Sequence, residues 1–145
     1  MVVLAVMALL ATLVVPVAEV TVQRSREQEL RLALREIRTA IDAYKKAADE
    51  GRIAKKADST GYPETLEILV EGVDDAKDPK KRRIYFLRRL PRDPMHADTS
   101  VDAGQTWVKR SYESEPNEPR EGKDVYDVLS RSTQVGLNGI PYNRW

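Results

Sequence analysis

The sequence predicts an α+β fold in which one long N-terminal helix packs on a small antiparallel sheet. Three observations carry that expectation. Residues 1–18 hold no charged side chain. Leu30, Leu34, Ile37, Ile41, Tyr44 and Ala48 then recur at alternating spacings of four and three, the signature of one apolar helical face. Further on, "IYFLRR", "QTWVKRSYES" and "DVYDVLS" are short strand-like runs bounded by turn residues.

The opening stretch "MVVLAVMALLATLVVPVAEV" is interrupted before Glu19 only by Thr12 and Pro16. At about 1.5 Å per residue, roughly 20 such residues cross the ~30 Å hydrocarbon core of a bilayer. A cleaved secretory signal is the weaker reading, because there is no positively charged region and no polar break before the next helix. A single membrane anchor is what composition alone supports. Pro16 removes one helical hydrogen bond, so a bend or loosening is expected there. Residues 1–20 thus read as a membrane-spanning helix and residues 21–51 as an amphipathic stem continuous with it. Arg31, Arg35, Glu36, Arg38, Asp42, Lys45, Lys46 and Asp49 fill the stem's polar face, and Gly51 stops it.

Residues 52–145 read as a globular part. "RIAKKADSTG" (52–61) is a polar loop. "YPETLEILVEG" places Pro63 in a first helical turn, with Leu66, Leu69 and Val70 on an apolar face and Gly72 as the stop. "VDDAKDPKKRR" (73–83) reads as a solvated charged loop. About three strands are expected near 84–90, 106–113 and 124–130, and the tail folds back through Ile140, Tyr142 and Trp145. The Leu30–Ile41 stripe has no other partner in so short a chain, so residues 30–48 should lie across these strands.

Composition narrows the chemistry. The 145 residues carry 24 Lys and Arg against 23 Asp and Glu, a net charge of +1 that argues against a dedicated nucleic-acid binder. There is no cysteine, hence no disulfide and no thiolate metal site. His96 is the one histidine and sits in a Pro-flanked loop, so His-clustered zinc sites are out. Asp74, Asp75 and Asp78 read as loop charge rather than a tuned acid–base pair. The dense basic stretch Lys80, Lys81, Arg82, Arg83, Arg88, Arg89 and Arg92 reads as a solvated edge or a contact with acids on a neighbouring subunit. No catalytic constellation emerges, and the expectation is a protein that is not an enzyme.

The run "ATLVVP", the stem end "AIDAYKKAADEGR", then "YPETLEILV", "FLRRLPRDP" and "DVYDVLS…GLNGIPYNRW" resemble the major pseudopilins of type II secretion, the protein G group of type IV pilin-like proteins. The order and spacing extend over essentially the whole chain. The Tyr-Pro opening and the Leu-Pro-x-Asp-Pro turn are the more specific markers. The resemblance implies a type IV pilin-like fold and a structural subunit of a periplasmic pseudopilus that drives protein export. It further implies a precursor cut by a prepilin peptidase. It places the chain in the bacterial inner membrane, single-pass, with its C-terminal domain in the periplasm. The partners implied are further copies of itself in a helical homopolymer, minor pseudopilins, the inner-membrane assembly platform with its ATPase, and the lipid bilayer. No nucleic acid is expected. A type IV pilus subunit, or a membrane-anchored periplasmic enzyme or binding protein, is the alternative. For the span and the filament core the expected residues are Val3, Leu4, Ala5, Ala8, Leu9, Ala11, Leu13 and Pro16; for the stem core they are Leu30, Leu34, Ile37, Ile41 and Tyr44.

Two departures bear on function. The family's mature chain begins with an aromatic residue and a short apolar-acidic stretch after a basic leader, and this sequence enters that pattern at "MVVLAV". Glu19 lies too far along to take the place of the family's acidic residue. The family also often holds calcium near its C-terminus, whereas residues 128–145 contain no Asp or Glu. A calcium ion takes six to eight oxygens, usually with carboxylates among them. No cofactor is therefore expected, and the terminal loop should be held by Tyr142 and Trp145 packing and by turns at Gly136 and Gly139.

Overall fold

The computed structural model describes residues 1–145, the side chain of Leu13 excepted. Helix α1 runs from Val2 to Asp49, 48 residues without interruption. Pro16 lies inside it and does not end it. Its C-terminus closes as a Schellman motif. The Arg52 amide donates to the Ala47 carbonyl at 2.9 Å and the Gly51 amide to Ala48 at 3.1 Å. Gly51 takes φ +73°, a conformation that costs a residue with a Cβ appreciably more.

The remaining elements are short. Helix α2 spans Ile68–Glu71, strand β1 Val73–Asp74, β2 Arg83–Ile84, β3 Trp107–Arg110 and β4 Asp127–Ser130, with 3₁₀ turns at Ala103–Thr106 and Tyr142–Arg144. They make two separate two-stranded antiparallel sheets. β1 pairs with β2 in the register Val73–Ile84, and β3 pairs with β4 from Trp107–Ser130 to Arg110–Asp127. The architecture is α+β, with α1 packed along β4.

Several expected boundaries move, each for a long-range reason. Of the strand expected at 84–90 only Ile84 is extended in a ladder, and its partner is Val73, in the segment read as a loop. Beyond it the Phe86 and Leu87 amides both turn to the Leu69 carbonyl, at 3.0 and 2.9 Å, and leave the sheet. The strand expected at 106–113 stops at Arg110. There the Ser111 amide goes to the Arg120 carbonyl and the Tyr112 amide to the Asp124 carboxylate, at 2.9 and 2.8 Å. The strand expected at 124–130 starts at Asp127, because the Val125 amide bonds the Pro63 carbonyl at 2.8 Å. That bond also explains why α2 begins at Ile68 rather than at Pro63. Gly72 does end α2, at φ +78°, where a Cβ would lie 2.8 Å from the Ile84 carbonyl oxygen.

One core joins these pieces. Leu30, Leu34, Ile37, Ile41, Tyr44 and Ala48 of α1 are buried with Ile53, Leu66, Leu69, Leu87, Trp107, Val128 and Tyr142. Full burial of each large apolar side chain contributes about 1.5–3 kcal/mol relative to exposure. The Leu-Pro-x-Asp-Pro turn is bolted to this core by buried polar groups. Asp93 accepts from the Ser130 hydroxyl at 2.6 Å and the Met95 amide at 2.8 Å, while the Trp107 indole donates to the Pro91 carbonyl at 2.9 Å.

Candidate membrane and assembly helix

The helix that anchors the core on one half is bare on the other. Val3, Leu4, Ala5, Ala8, Leu9, Ala11 and Pro16 are all exposed, and Leu13 lies outside the described side chains. Val3 and Leu4 expose 69% and 68% of their surface. Among the described residues, none in the most apolar 18-residue window is buried, and the helix is long and apolar enough to cross a membrane. Burying so much apolar surface is worth about 25 cal/mol per Å², so this half has an energetic reason to leave water. Within it polar groups bond inward. The Thr12 hydroxyl donates to the Leu9 carbonyl at 2.7 Å and Thr21 to Val17 at 2.9 Å, which keeps both compatible with a lipid surrounding. Pro16 has no amide to give to the Thr12 carbonyl. Ala5, Ala8 and Ala11 are exposed at a spacing of three, small enough for another helix to approach closely.

The transition between the halves is abrupt and falls at Gln23 and Glu27, which the apolar pattern did not single out. Glu27 is buried at 5% exposure. Its carboxylate accepts from the Leu137 amide at 2.7 Å and from the Tyr142 hydroxyl at 2.9 Å. Gln23 donates to the same hydroxyl at 2.9 Å and to the Val135 carbonyl at 3.4 Å. Burial, reinforced by the Glu27 carboxylate, holds the Tyr142 phenol above its ordinary range, so it stays a donor at neutral pH.

Farther along, Arg38 is a second clasp. Its guanidinium donates to the Asp127 carboxylate at 2.7 Å, to the Val128 carbonyl at 3.1 Å and to the Trp145 carbonyl at 2.9 Å. Arg31 lies 4.5 Å over the Trp145 ring, in cation–π range. Both were read from sequence as part of the stem's polar face, and both reach the far end of the chain. A charged residue at the edge of an apolar stripe looks the same in either case. Only the position of the C-terminal segment decides.

The terminal loop is self-bracing. Tyr142 and Trp145 meet edge to face at 5.1 Å between ring centroids. The Trp145 indole donates to the Ile140 carbonyl at 3.1 Å, and the Gly136 amide donates to the same carbonyl at 2.9 Å. Gly136 has no room for a Cβ, which would lie 2.7 Å from the Trp145 ring, and Gly139 turns the chain at φ +80°. Among the described residues no group of three or more His, Cys, Asp or Glu converges on a metal-sized site. His96 is half-buried, and its amide closes a turn on the Asp93 carbonyl at 3.1 Å. In the basic stretch, Arg82 pairs with Asp78 at 2.5 Å and Arg92 donates to the Val101 and Asp98 carbonyls. Searches of protein-family models, curated proteins and solved structures found no match to this chain.

Proposed function

We propose that this chain is a type IV pilin-like assembly subunit of the major pseudopilin kind, a structural protein and not an enzyme. It polymerises from the bacterial inner membrane into a periplasmic filament of type II secretion, with no cofactor. The observation that carries the reading is one unbroken 48-residue helix with an exposed apolar first half and a second half that is the spine of an α+β body. A cleaved signal or a simple tether has no need to be rigidly continuous with the core.

In lipid the bare half gains little from self-association, because lipid tails are as apolar as its own side chains. Pulled out of the bilayer by an ATP-driven platform, the same surface must be buried against neighbouring helices. Polymerisation then stores the burial energy in a helical core, and each added subunit lengthens the filament against exported protein. The family resemblance of the Tyr-Pro and Leu-Pro-x-Asp-Pro segments supports the secretion pseudopilus. The clasped C-terminus supports a body that works without calcium.

The test is Ala8→Arg in the full-length, processed chain. An Arg near mid-span costs about 2.5–3.5 kcal/mol in the membrane and cannot be accommodated in a packed helical core. Filaments and secretion should be lost, while the body unfolds at the same temperature as the parent. Normal filaments from this variant would overturn the helical-core polymer.

A further inference from the structure

The C-terminal segment meets α1 from Gln23 to Arg38, and the part of it nearest the apolar run is Val135. Val135 shares with Ala18, Glu19 and Val22 the wall of a cleft of about 760 Å³ where the body overhangs the helix. Its carbonyl accepts from Gln23, and the Leu137 amide donates to Glu27. Helical side chains lean toward the N-terminus, so these two polar groups lie about one turn nearer the span than their own Cα atoms. At about 1.5 Å per residue, the loop therefore sits within roughly 5–10 Å of residue 20 along the helix axis.

The headgroup layer beyond the ~30 Å hydrocarbon core is roughly 5–7 Å deep on each side. A bilayer that holds residues 2–20 must bring that layer up to this loop. The loop is apolar where it is most open. Val135 and Leu137 expose 56% and 45% of their surface, while Ile140 lines a separate cleft with Arg31, Leu34 and Arg35. Arg24 and Arg26 are exposed on the adjoining helical turn, with Glu19 as the one acid on the same cleft wall.

We propose that the loop edge formed by Val135 and Leu137 enters the headgroup layer of the bilayer that α1 crosses. The body then touches lipid at a second point and is held at a set tilt before assembly. Lipid is favoured over a second copy of the chain because Val135 lines one cleft with Ala18 and Val22 at the end of the apolar run, and Arg24 and Arg26 suit anionic headgroups. The inference rests on reading residues 2–20 as membrane-spanning, and its test separates the two.

The chain has no cysteine, so single probes can be placed cleanly. Val135→Cys, Leu137→Cys, Leu9→Cys and Asp58→Cys, each carrying an environment-sensitive fluorophore, are reconstituted as full chains in mixed phosphatidylethanolamine–phosphatidylglycerol vesicles containing nitroxide-labelled lipid. Asp58 is the aqueous reference, in the loop beyond the far end of α1 where Lys55 ties to Asp49. The expected result is blue-shifted emission and lipid quenching at positions 135, 137 and 9, several-fold above that at 58. Quenching at 9 but not at 135 or 137 overturns the loop contact and leaves the span standing. Quenching at none of them overturns both. Shielding at 137 that grows with protein density but is insensitive to nitroxide lipid assigns the patch to a second copy and also overturns the proposal.

Discussion

Residues 2–22 and residues 23–49 of α1 share one continuous backbone, yet they are built for different surroundings. The first half exposes Val3, Leu4 and Leu9 at more than 60% each, while the second holds Leu30 and Ile37 at 0%. Both halves are helical and both contain many aliphatic residues, so the difference does not lie in propensity. It lies in distribution. In the stem the apolar side chains form one stripe with charges on the other face; in the first half they occupy every face. An all-round apolar helix that its own domain leaves uncovered asks for another apolar medium. The switch is made within one turn, at Gln23 and Glu27, where polar side chains begin to bond the body.

The largest effect that can break this comparison is the same kind of truncation made on each half. Ile37→Ala removes a fully buried branched chain and should cost about 2–5 kcal/mol. Leu9→Ala removes as many methylenes from an exposed site and should stay within about 0.5 kcal/mol. Thermal unfolding of the full chain in detergent micelles measures both. Equal losses would mean that the first half packs on the body after all.

The border itself gives the next largest change. Glu27→Ala leaves the Leu137 amide and Tyr142 hydroxyl without their buried acceptor, an expected loss of about 1–3 kcal/mol. Faster amide exchange at Leu137, with Leu69 unaffected, would localise that loss to the clasp. Unchanged exchange at Leu137 would show that the loop stands without it.

A smaller effect comes from pH at the far end of the stem. The Arg52 guanidinium, 2.6 Å away, is the main cause that holds the Asp75 carboxyl below its usual range, and the Lys80 amide and Arg82 do the same for Asp78. Folded values lie below unfolded ones, so this stabilisation is complete above the unfolded value and disappears as pH falls through the folded one. The unfolding midpoint should be level from neutral pH down to about 5 and drop below about 4, near the ordinary carboxylate range. Asp75→Asn should flatten part of that drop. The same fall in the variant would assign it to other carboxylates.

The smallest expected effect is that of calcium. With no carboxylate in residues 128–145, the melting temperature should be the same in calcium and in chelator. A specific site would stabilise the folded chain by RT ln(1 + [L]/Kd), about 2.7 kcal/mol at a hundredfold excess over Kd. A rise of that size would place oxygen ligands elsewhere on the body.

The α1 helix was legible in detail because its signals are local. Period, length and the Gly51 stop are all encoded within a few residues of where they act. The sheets were legible only as approximate strands. Pro63 looks like the first turn of a helix until the Val125 amide, 62 positions away, takes its carbonyl. The 84–90 run looks like a strand until Phe86 and Leu87 find Leu69. Asp93 could be recognised as part of a Pro-bounded turn, but its partner Ser130 comes from β4 and leaves no mark beside it.

By itself, then, the sequence determined a bare apolar half-helix joined to an amphipathic stem, and the absence of acids from the last 18 residues. Those are properties of composition and period, which survive in any arrangement of the rest. Only the tertiary structure decided that Glu27 is buried and that Arg38 leaves the polar face to clasp the C-terminus, that β4 is the strand against α1, and that the terminal loop reaches the border between the two halves of α1. The reason is physical. A hydrogen-bonding group takes whichever partner the closed chain brings to it, and partners more than 80 residues away leave no periodic trace.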